Sequence, residues 1–254
     1  MMLDRIKSVV QKVMSGDQHG TLDIHWIKKG EGSWLASILQ NSVIKPAPTR
    51  YSKKIENLAR ETNSLGPQPL WDGYAGNNIA GATRMPDGVR TNAQMGDFYS
   101  WLVEMWKPDM IVEFGTAFGV SGMYFLAGVE INQKGHLLTF DPNDVWRNLA
   151  VGCLAGISSS FTSIDGTFEE NVDRVLEDRR IDIAFIDAIH TREFVIPQLE
   201  LVLARCNDKA IVILDDINFS DDMRACWQDV AHDSRFVSSV MIGERVGILE
   251  FIRE

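Results

Sequence analysis

Two short apolar runs of this chain end in acids. One is Phe185-Ile186-Asp187-Ala188-Ile189-His190, and the other is Ile213-Leu214-Asp215-Asp216-Ile217-Asn218. Apolar runs of this kind form buried parallel strands. In an open α/β sheet, ligands bind just beyond the carboxyl ends of the strands. Asp187, Asp215 and Asp216 converging there would repel one another unless a cation or shared protons held them. The expected chemistry is therefore a divalent-metal site built from oxygen ligands. His190 follows Asp187 by three residues, so a helical turn beyond the strand would aim both side chains into one pocket. Neutral imidazole is available near pH 7, which makes His190 the candidate base. The blander alternatives are helix N-caps for Asp187 and Asp216 and a structural role for His190. Asp221-Asp222 reads as the start of the next helix, and Asn218 as a polar loop residue.

The elements that must position these groups are legible from residue 110 onward. Strand-like runs are Met110–Phe114, His136–Phe140, Phe161–Ile164, Ile181–Ile186 and Lys209–Leu214. Helical stretches separate them, over Ser121–Ile131, Val145–Ile157, Phe168–Glu177, Phe194–Ala204 and Asp221–Val230. Such alternation specifies a parallel sheet with helices on both faces. Phe236–Ile242 and Val246–Ile252 flank Gly243-Glu244-Arg245, a hairpin signal. The expected fold is α/β: a doubly wound, mostly parallel seven-stranded sheet, finished by an antiparallel hairpin.

The first of these strands runs into Glu113-Phe114-Gly115-Thr116-Ala117-Phe118-Gly119-Val120-Ser121-Gly122. Glycines here let the backbone turn tightly and approach a ligand. The next helix N-terminus adds free amides and the positive end of its dipole. A dinucleotide or S-adenosylmethionine could use that arrangement. The dinucleotide pattern Gly-x-Gly-x-x-Gly is absent, and an acid at 113 suits an ammonium group better than a pyrophosphate. The second strand ends in Asp141-Pro142, where an acid suits the hydroxyls of a ribose. Asp165-Gly166 closes the third and is either an adenine contact or an ordinary turn.

Residues 1–90 show no such alternation and read as a helical, loop-rich extension to a domain spanning 91–254. Leu3, Ile6, Val9, Val10, Val13 and Met14 have helical spacing, and their stripe is expected to pack on the body or on another subunit. The loop from Gly66 to Asn78 is rich in Gly, Pro and Asn yet carries Trp71 and Tyr74, as a lid or binding loop would. A helix from Asn92 to Trp106 follows.

Bulk properties narrow the function. The 254 residues are 45% hydrophobic and 24% charged, enough for one sizeable core. Lys+Arg 25 against Asp+Glu 35 gives a net charge of −10, which argues against nucleic acid as a partner. No run is long and apolar enough to span a membrane. Cys153, Cys206 and Cys226 form no CxxC pair, so free thiols and a cytoplasmic location are expected.

Taken together, Glu113–Ser121, Asp141, Asp165, Asp187-Ala188-Ile189-His190 and Asp215-Asp216 resemble the class I S-adenosylmethionine-dependent O-methyltransferases. The resemblance is to the metal-dependent group, which includes the catechol, caffeoyl-CoA, macrocin and mycinamicin types, and it covers Thr91 to the C-terminus. It implies that Glu113, Gly115 and Gly119 hold the methionine part of S-adenosyl-L-methionine and Asp141 the ribose, and Thr116, Ser121 and Asp165 are further cofactor-binding candidates. It implies Mg2+ or a similar ion on Asp187, Asp215 and Asp216, with His190 as the base. Catechol enzymes carry Asp-Asn at the second acidic strand end, and the macrolide type carries Glu-Asp. Asp215-Asp216 departs from both. The expected substrate is a hydroxyl of a small metabolite: a natural-product sugar, a polyketide or a catechol-like acceptor. Trp71, Tyr74 and Trp146 are candidates to cover it, or ordinary packing residues. A homo-oligomer is expected. The competing readings are a nicotinamide-dependent oxidoreductase and a non-catalytic scaffold that keeps the fold.

Overall fold

A computed structural model of the chain describes residues 20–70 and 81–253. The N-terminal stripe, Trp71 and Tyr74 lie outside the described residues. In chain order the first elements are β1 (Leu22–Lys29), α1 (Trp34–Ile38), β2 (Val43–Ile44), α2 (Ser52–Asn63), β3 (Gln68–Pro69), β4 (Thr83–Arg84) and α3 (Ala93–Trp106). Then come β5 (Met110–Phe114), α4 (Val120–Asn132), β6 (His136–Asp141), α5 (Asp144–Ala155), β7 (Phe161–Asp165) and α6 (Phe168–Leu176). The chain ends with β8 (Ile181–Ile186), α7 (Arg192–Arg205), β9 (Cys206–Leu214), α8 (Asp221–Ala231), β10 (Phe236–Ile242) and β11 (Val246–Ile252).

The main sheet has nine strands in the order β2-β1-β10-β11-β9-β8-β5-β6-β7. Its centre is parallel, with β5 between β6 and β8, and β8 beside β9. The chain winds outward from β5 through β6 and β7, then returns to lay β8 on the other side of β5. The carboxyl ends of β5 and β8 therefore flank the switch point, where an open sheet leaves a crevice. The central strands are apolar on both faces because helices cover both. Ile111, Ile183, Phe185, Ile211 and Ile213 pack with residues of α3 and α4 on one face. Val112, Phe114, Ala184, Ile186, Val212 and Leu214 pack with α6, α7 and α8 on the other.

The α/β reading and the C-terminal hairpin hold, and the sheet is wider than the seven strands expected. The added strands are β1 and β2. β1 runs antiparallel to β10, with Ile24 opposite Ile242 and Trp26 opposite Val240. Its sequence, Leu-Asp-Ile-His-Trp-Ile-Lys-Lys, is half polar, and its partner strand lies at the far end of the chain, so local pattern carries little of this pairing. The same N-terminal region is tied to the hairpin through Glu250, which is 2% exposed. Its carboxylate accepts from the Ser33 hydroxyl at 2.7 Å and from the backbone N–H groups of Trp34 at 2.8 Å and Leu35 at 3.0 Å, so it caps α1. All three cysteines are free and buried. Among the described residues, no helix is long and apolar enough to cross a membrane.

Candidate active site

The turn after β5 is built around two glycines. Gly115 and Gly119 take φ values of +89° and +80°, a region that side chains with a Cβ rarely adopt. The N–H groups of Gly115 and Thr116 both donate to the Phe140 carbonyl, at 3.0 and 3.1 Å. A Cβ on Gly115 would lie 2.4 Å from the carbonyl oxygen of Asp187. The glycine turn and the first acidic strand end are thus in direct backbone contact across the switch point. A shallow cleft opens there, lined by Arg90, Thr91, Gly115, Phe118, Ser121 and Asp187, among others. Gly119 precedes α4 without a side-chain cap, so the first-turn amides of Val120 and Ser121 remain beside the cleft. Val89, Arg90 and Thr91 complete one wall. No sequence motif marked Val89 or Arg90, because both sit in an irregular segment.

The remaining cofactor candidates fall into distinct settings. Glu113 is fully buried. One carboxylate oxygen accepts from Ser121 Oγ at 2.6 Å and the other from Thr139 Oγ1 at 2.6 Å. It braces the turn from beneath, and of these groups it is Ser121 that lines the cleft. Thr116 Oγ1 lies 2.6 Å from Thr139 Oγ1 and joins the same network. Asp141 accepts from the N–H groups of Ala117 at 2.7 Å and Asn143 at 2.8 Å, which orients it at the end of β6. Burial pushes its carboxyl up to about 6 against those two hydrogen bonds. Asp165 pairs in register with Asp141, but its side chain is 69% exposed, 3.6 Å from Arg147. Trp146 is buried against Phe118, with ring centroids 4.7 Å apart, so its packing role prevails over acceptor contact.

Glu113 supports a stability prediction. Burial raises its carboxyl from 4.5 to about 7, outweighing the Ser121 and Thr139 hydrogen bonds. The folded chain therefore holds a proton there that the unfolded chain releases above pH 4.5. That contribution to stability is complete below about pH 4.5 and is lost as the pH rises toward 7, by roughly 3 kcal/mol. Glu113→Gln keeps the size of the group and removes the titration. Between pH 4.5 and 7.5 its unfolding free energy relative to the native chain is expected to rise by about that amount. Urea titrations at the two pH values would show it, and parallel curves would refute it.

The acidic strand ends do converge. Asp187 N–H donates to the Phe114 carbonyl at 3.1 Å and Asp215 N–H to the Ile186 carbonyl at 3.1 Å, which sets Asp187 beside the end of β5 and Asp215 beside the end of β8. His190 Nε2 lies 3.6 Å from Asp187 Oδ1 and 3.5 Å from Asp216 Oδ2. Residues 187–191 form a bend rather than the helical turn expected, and α7 starts only at Arg192. The bend brings His190 back to Asp187 all the same. Neither acid is a helix cap, since Thr191 and Ser220 hold those positions. Asp221-Asp222 opens α8 as anticipated. Burial holds the His190 imidazole below its ordinary pKa, with Asp216 and Asp215 pulling the other way. Burial, and then the charge of Asp215, pushes the Asp187 carboxyl well above the usual range.

The residue that motif reading left as part of a hairpin turn is Arg245. Its Nε donates to Asp215 Oδ1 at 2.9 Å and its Nη2 to Asp215 Oδ2 at 2.7 Å. Nε also lies 2.9 Å from Asp216 Oδ1. Tyr99, fully buried and with no hydrogen-bond partner for its hydroxyl among the described residues, lies beside Asp215 and Arg245. The Phe219 ring, 69% exposed, lies 5.4 Å from the His190 ring. A divalent ion of the magnesium or calcium kind needs several oxygens converging at about 2.0–2.6 Å. Here both Asp215 oxygens are taken by the guanidinium. Among the described residues, no group of three or more His, Cys, Asp or Glu side chains is disposed to hold a metal. The arrangement does not fit the ion that the family resemblance implies.

Comparison with known proteins agrees with the fold. Residues 112–217 match a family described as a methyltransferase domain. A search of curated proteins found no match. Among solved structures, an O-methyltransferase from Bacillus cereus in complex with S-adenosylhomocysteine is similar, at 16% identity and a TM-score of 0.59, over 87% of this chain and 96% of that one. TomG, the O-methyltransferase from Streptomyces achromogenes involved in tomaymycin synthesis, solved with S-adenosylmethionine, matches at 15% identity and a TM-score of 0.57, over 87% and 95% of the two chains. Cofactor-bound Rv0187 from MTB matches at 18% identity and a TM-score of 0.60, over 79% and 90%. The chain thus has the fold of these O-methyltransferase structures, and its central part matches a methyltransferase domain.

Proposed function

We propose that this chain transfers a methyl group from S-adenosylmethionine to a hydroxyl of a small metabolite, with His190 as the base. The observation that supports it most directly is the contact of Gly115 with the backbone of Asp187, which sets the cofactor turn against the acid–histidine cluster. Bound in the cleft, S-adenosylmethionine would supply an electrophilic methyl group on sulfur. His190 Nε2 accepts the hydroxyl proton as the acceptor oxygen attacks the methyl carbon and the carbon–sulfur bond breaks, leaving S-adenosylhomocysteine. Asp216, 3.5 Å from that nitrogen, stabilises the imidazolium that forms. The Tyr99 hydroxyl, without a hydrogen-bond partner among the described residues, offers a donor to an acceptor oxygen, and the exposed Phe219 ring offers a flat apolar wall beside the base. These features favour a sugar, polyketide or catechol-like acceptor. Residues 1–90 are proposed to help close the site, since Val89 and Arg90 already wall the cleft. A homo-oligomer in the cytoplasm, with its thiols reduced, completes the reading.

Calorimetry with S-adenosylhomocysteine and NADH tests the cofactor. Saturable 1:1 binding of S-adenosylhomocysteine and none of NADH is expected. Binding of NADH alone would replace this reading with a nicotinamide-dependent one. That alternative has no support in the glycine spacing or in the matched family.

A further inference from the structure

We propose that Arg245 is a built-in counter-cation, held in the acidic cluster in place of a divalent ion, and that this chain has no divalent-metal site in its native form. The inference deepens the methyl-transfer reading and rests on it. Three carboxylates meet at the ends of β8 and β9, and such a group needs compensating positive charge. The guanidinium meets Asp215 through two parallel hydrogen bonds, the geometry in which arginine and carboxylate pair most strongly. Its Nε is shared with Asp216. The Asp215 side chain is 1% exposed, so solvent screens the carboxylate end of this pair little.

The arginine is placed by backbone as well as by charge. It sits at the tip of the β10–β11 hairpin, where Ile217 N–H donates to the Arg245 carbonyl at 3.0 Å. The Asn218 amide donates to the carbonyl of Glu244. Gly243 N–H donates to the carbonyl of Asp23 in β1 at 2.9 Å. The loop that carries the acids and the turn that carries the cation are therefore fastened to each other by two hydrogen bonds, and the turn is also tied to β1. Asp216 itself takes a positive φ of 50°, which aspartate tolerates better than most residues and which belongs to this tight loop.

A hard cation and this guanidinium compete for the same oxygens. With Arg245 present, an incoming ion meets an occupied Asp215 and a like charge within a few ångström. Without it, Asp187, Asp215 and Asp216 are left uncompensated and become a cation trap. Arg245 is on this account a positioning residue: it fixes the two acids that flank the His190 base, and its charge balances them without an exchangeable ion.

The test is a Mn2+ titration of the full chain, read by calorimetry and by loss of the free-ion spin-resonance signal. The native protein is expected to show no saturable site. Arg245→Gln is expected to gain one, with affinity at least about tenfold above the native chain. Asp215→Asn added to that variant should remove the gain. A saturable Mn2+ site in the native protein that Asp215→Asn abolishes would overturn the proposal, and that measurement stands even where Arg245→Gln fails to fold. Arg245→Gln that folds but gains no Mn2+ affinity would overturn it as well. S-adenosylhomocysteine binding, measured on the same samples, separates the outcomes. Its loss in the native chain would count against methyl transfer, whereas a native Mn2+ site beside intact S-adenosylhomocysteine binding would count against Arg245 alone.

Discussion

His190→Ala is expected to slow methyl transfer by about 10²- to 10⁴-fold on any hydroxyl acceptor that the native chain methylates, the range typical of a lost general base. Affinity for S-adenosylhomocysteine should stay within about twofold, because the imidazole faces Asp187 and Asp216 and does not line the cofactor cleft. The split between turnover and cofactor binding is the diagnostic part. A histidine that merely held the bend 187–191 in shape would disturb Asp187, and through it Gly115, so both quantities would fall together. Stopped-flow turnover and calorimetry on one preparation distinguish the two. Equal losses would assign His190 to structure and leave the proton without this acceptor.

Gly115→Ala is expected to cost about 2–5 kcal/mol of stability, the sum of about 1–2 for a left-handed backbone with a Cβ and about 1–3 for overpacking. The clash is with backbone, since the new atom would sit 2.4 Å from the Asp187 carbonyl oxygen and 3.1 Å from its carbon. No side chain can rotate away to relieve it. The relief must come from the β5 and β8 ends moving apart, which opens the crevice and spoils the cofactor turn. Gly152→Ala, in the interior of α5, supplies the control: nothing lies within 4 Å of its added Cβ. That change is expected to stabilise the chain by about 0.5–1 kcal/mol through helix propensity alone. Denaturant unfolding of the pair measures both. A Gly115→Ala protein as stable as the native chain would mean that the two strand ends are not in contact.

The central sheet was legible because its strands are apolar on both faces and its helices have regular spacing. β5, β8, β10 and β11 fall on the expected residues, and β6, β7 and β9 extend by a few at one end. The site was partly legible for a related reason. Short acidic and glycine motifs follow strand ends directly, so locating the strand also locates the group. Gly115, Asp141, Asp187 and Asp215 are found that way. What a neighbouring element does to such a group is not written locally. Glu113 looked like a carboxylate available to an ammonium group, yet Ser121 and Thr139 occupy both its oxygens. The latter comes from the adjacent strand, 26 residues on.

Sequence alone determined the winding of the sheet, the glycine turn, and the gathering of Asp187, His190, Asp215 and Asp216 at one edge. Those follow from side-chain periodicity and from strand ends, which are properties of short segments. Tertiary structure decided how the charge at that edge is balanced. A cluster of acids demands a cation, but its residue types do not say which. Arg245 answers from 29 residues beyond Asp216, delivered by a hairpin whose tip is bonded to the acidic loop. The same long-range pairing brings β1 onto β10 and widens the sheet to nine strands. Contacts of that separation depend on where folded elements come to rest, and no local pattern encodes them.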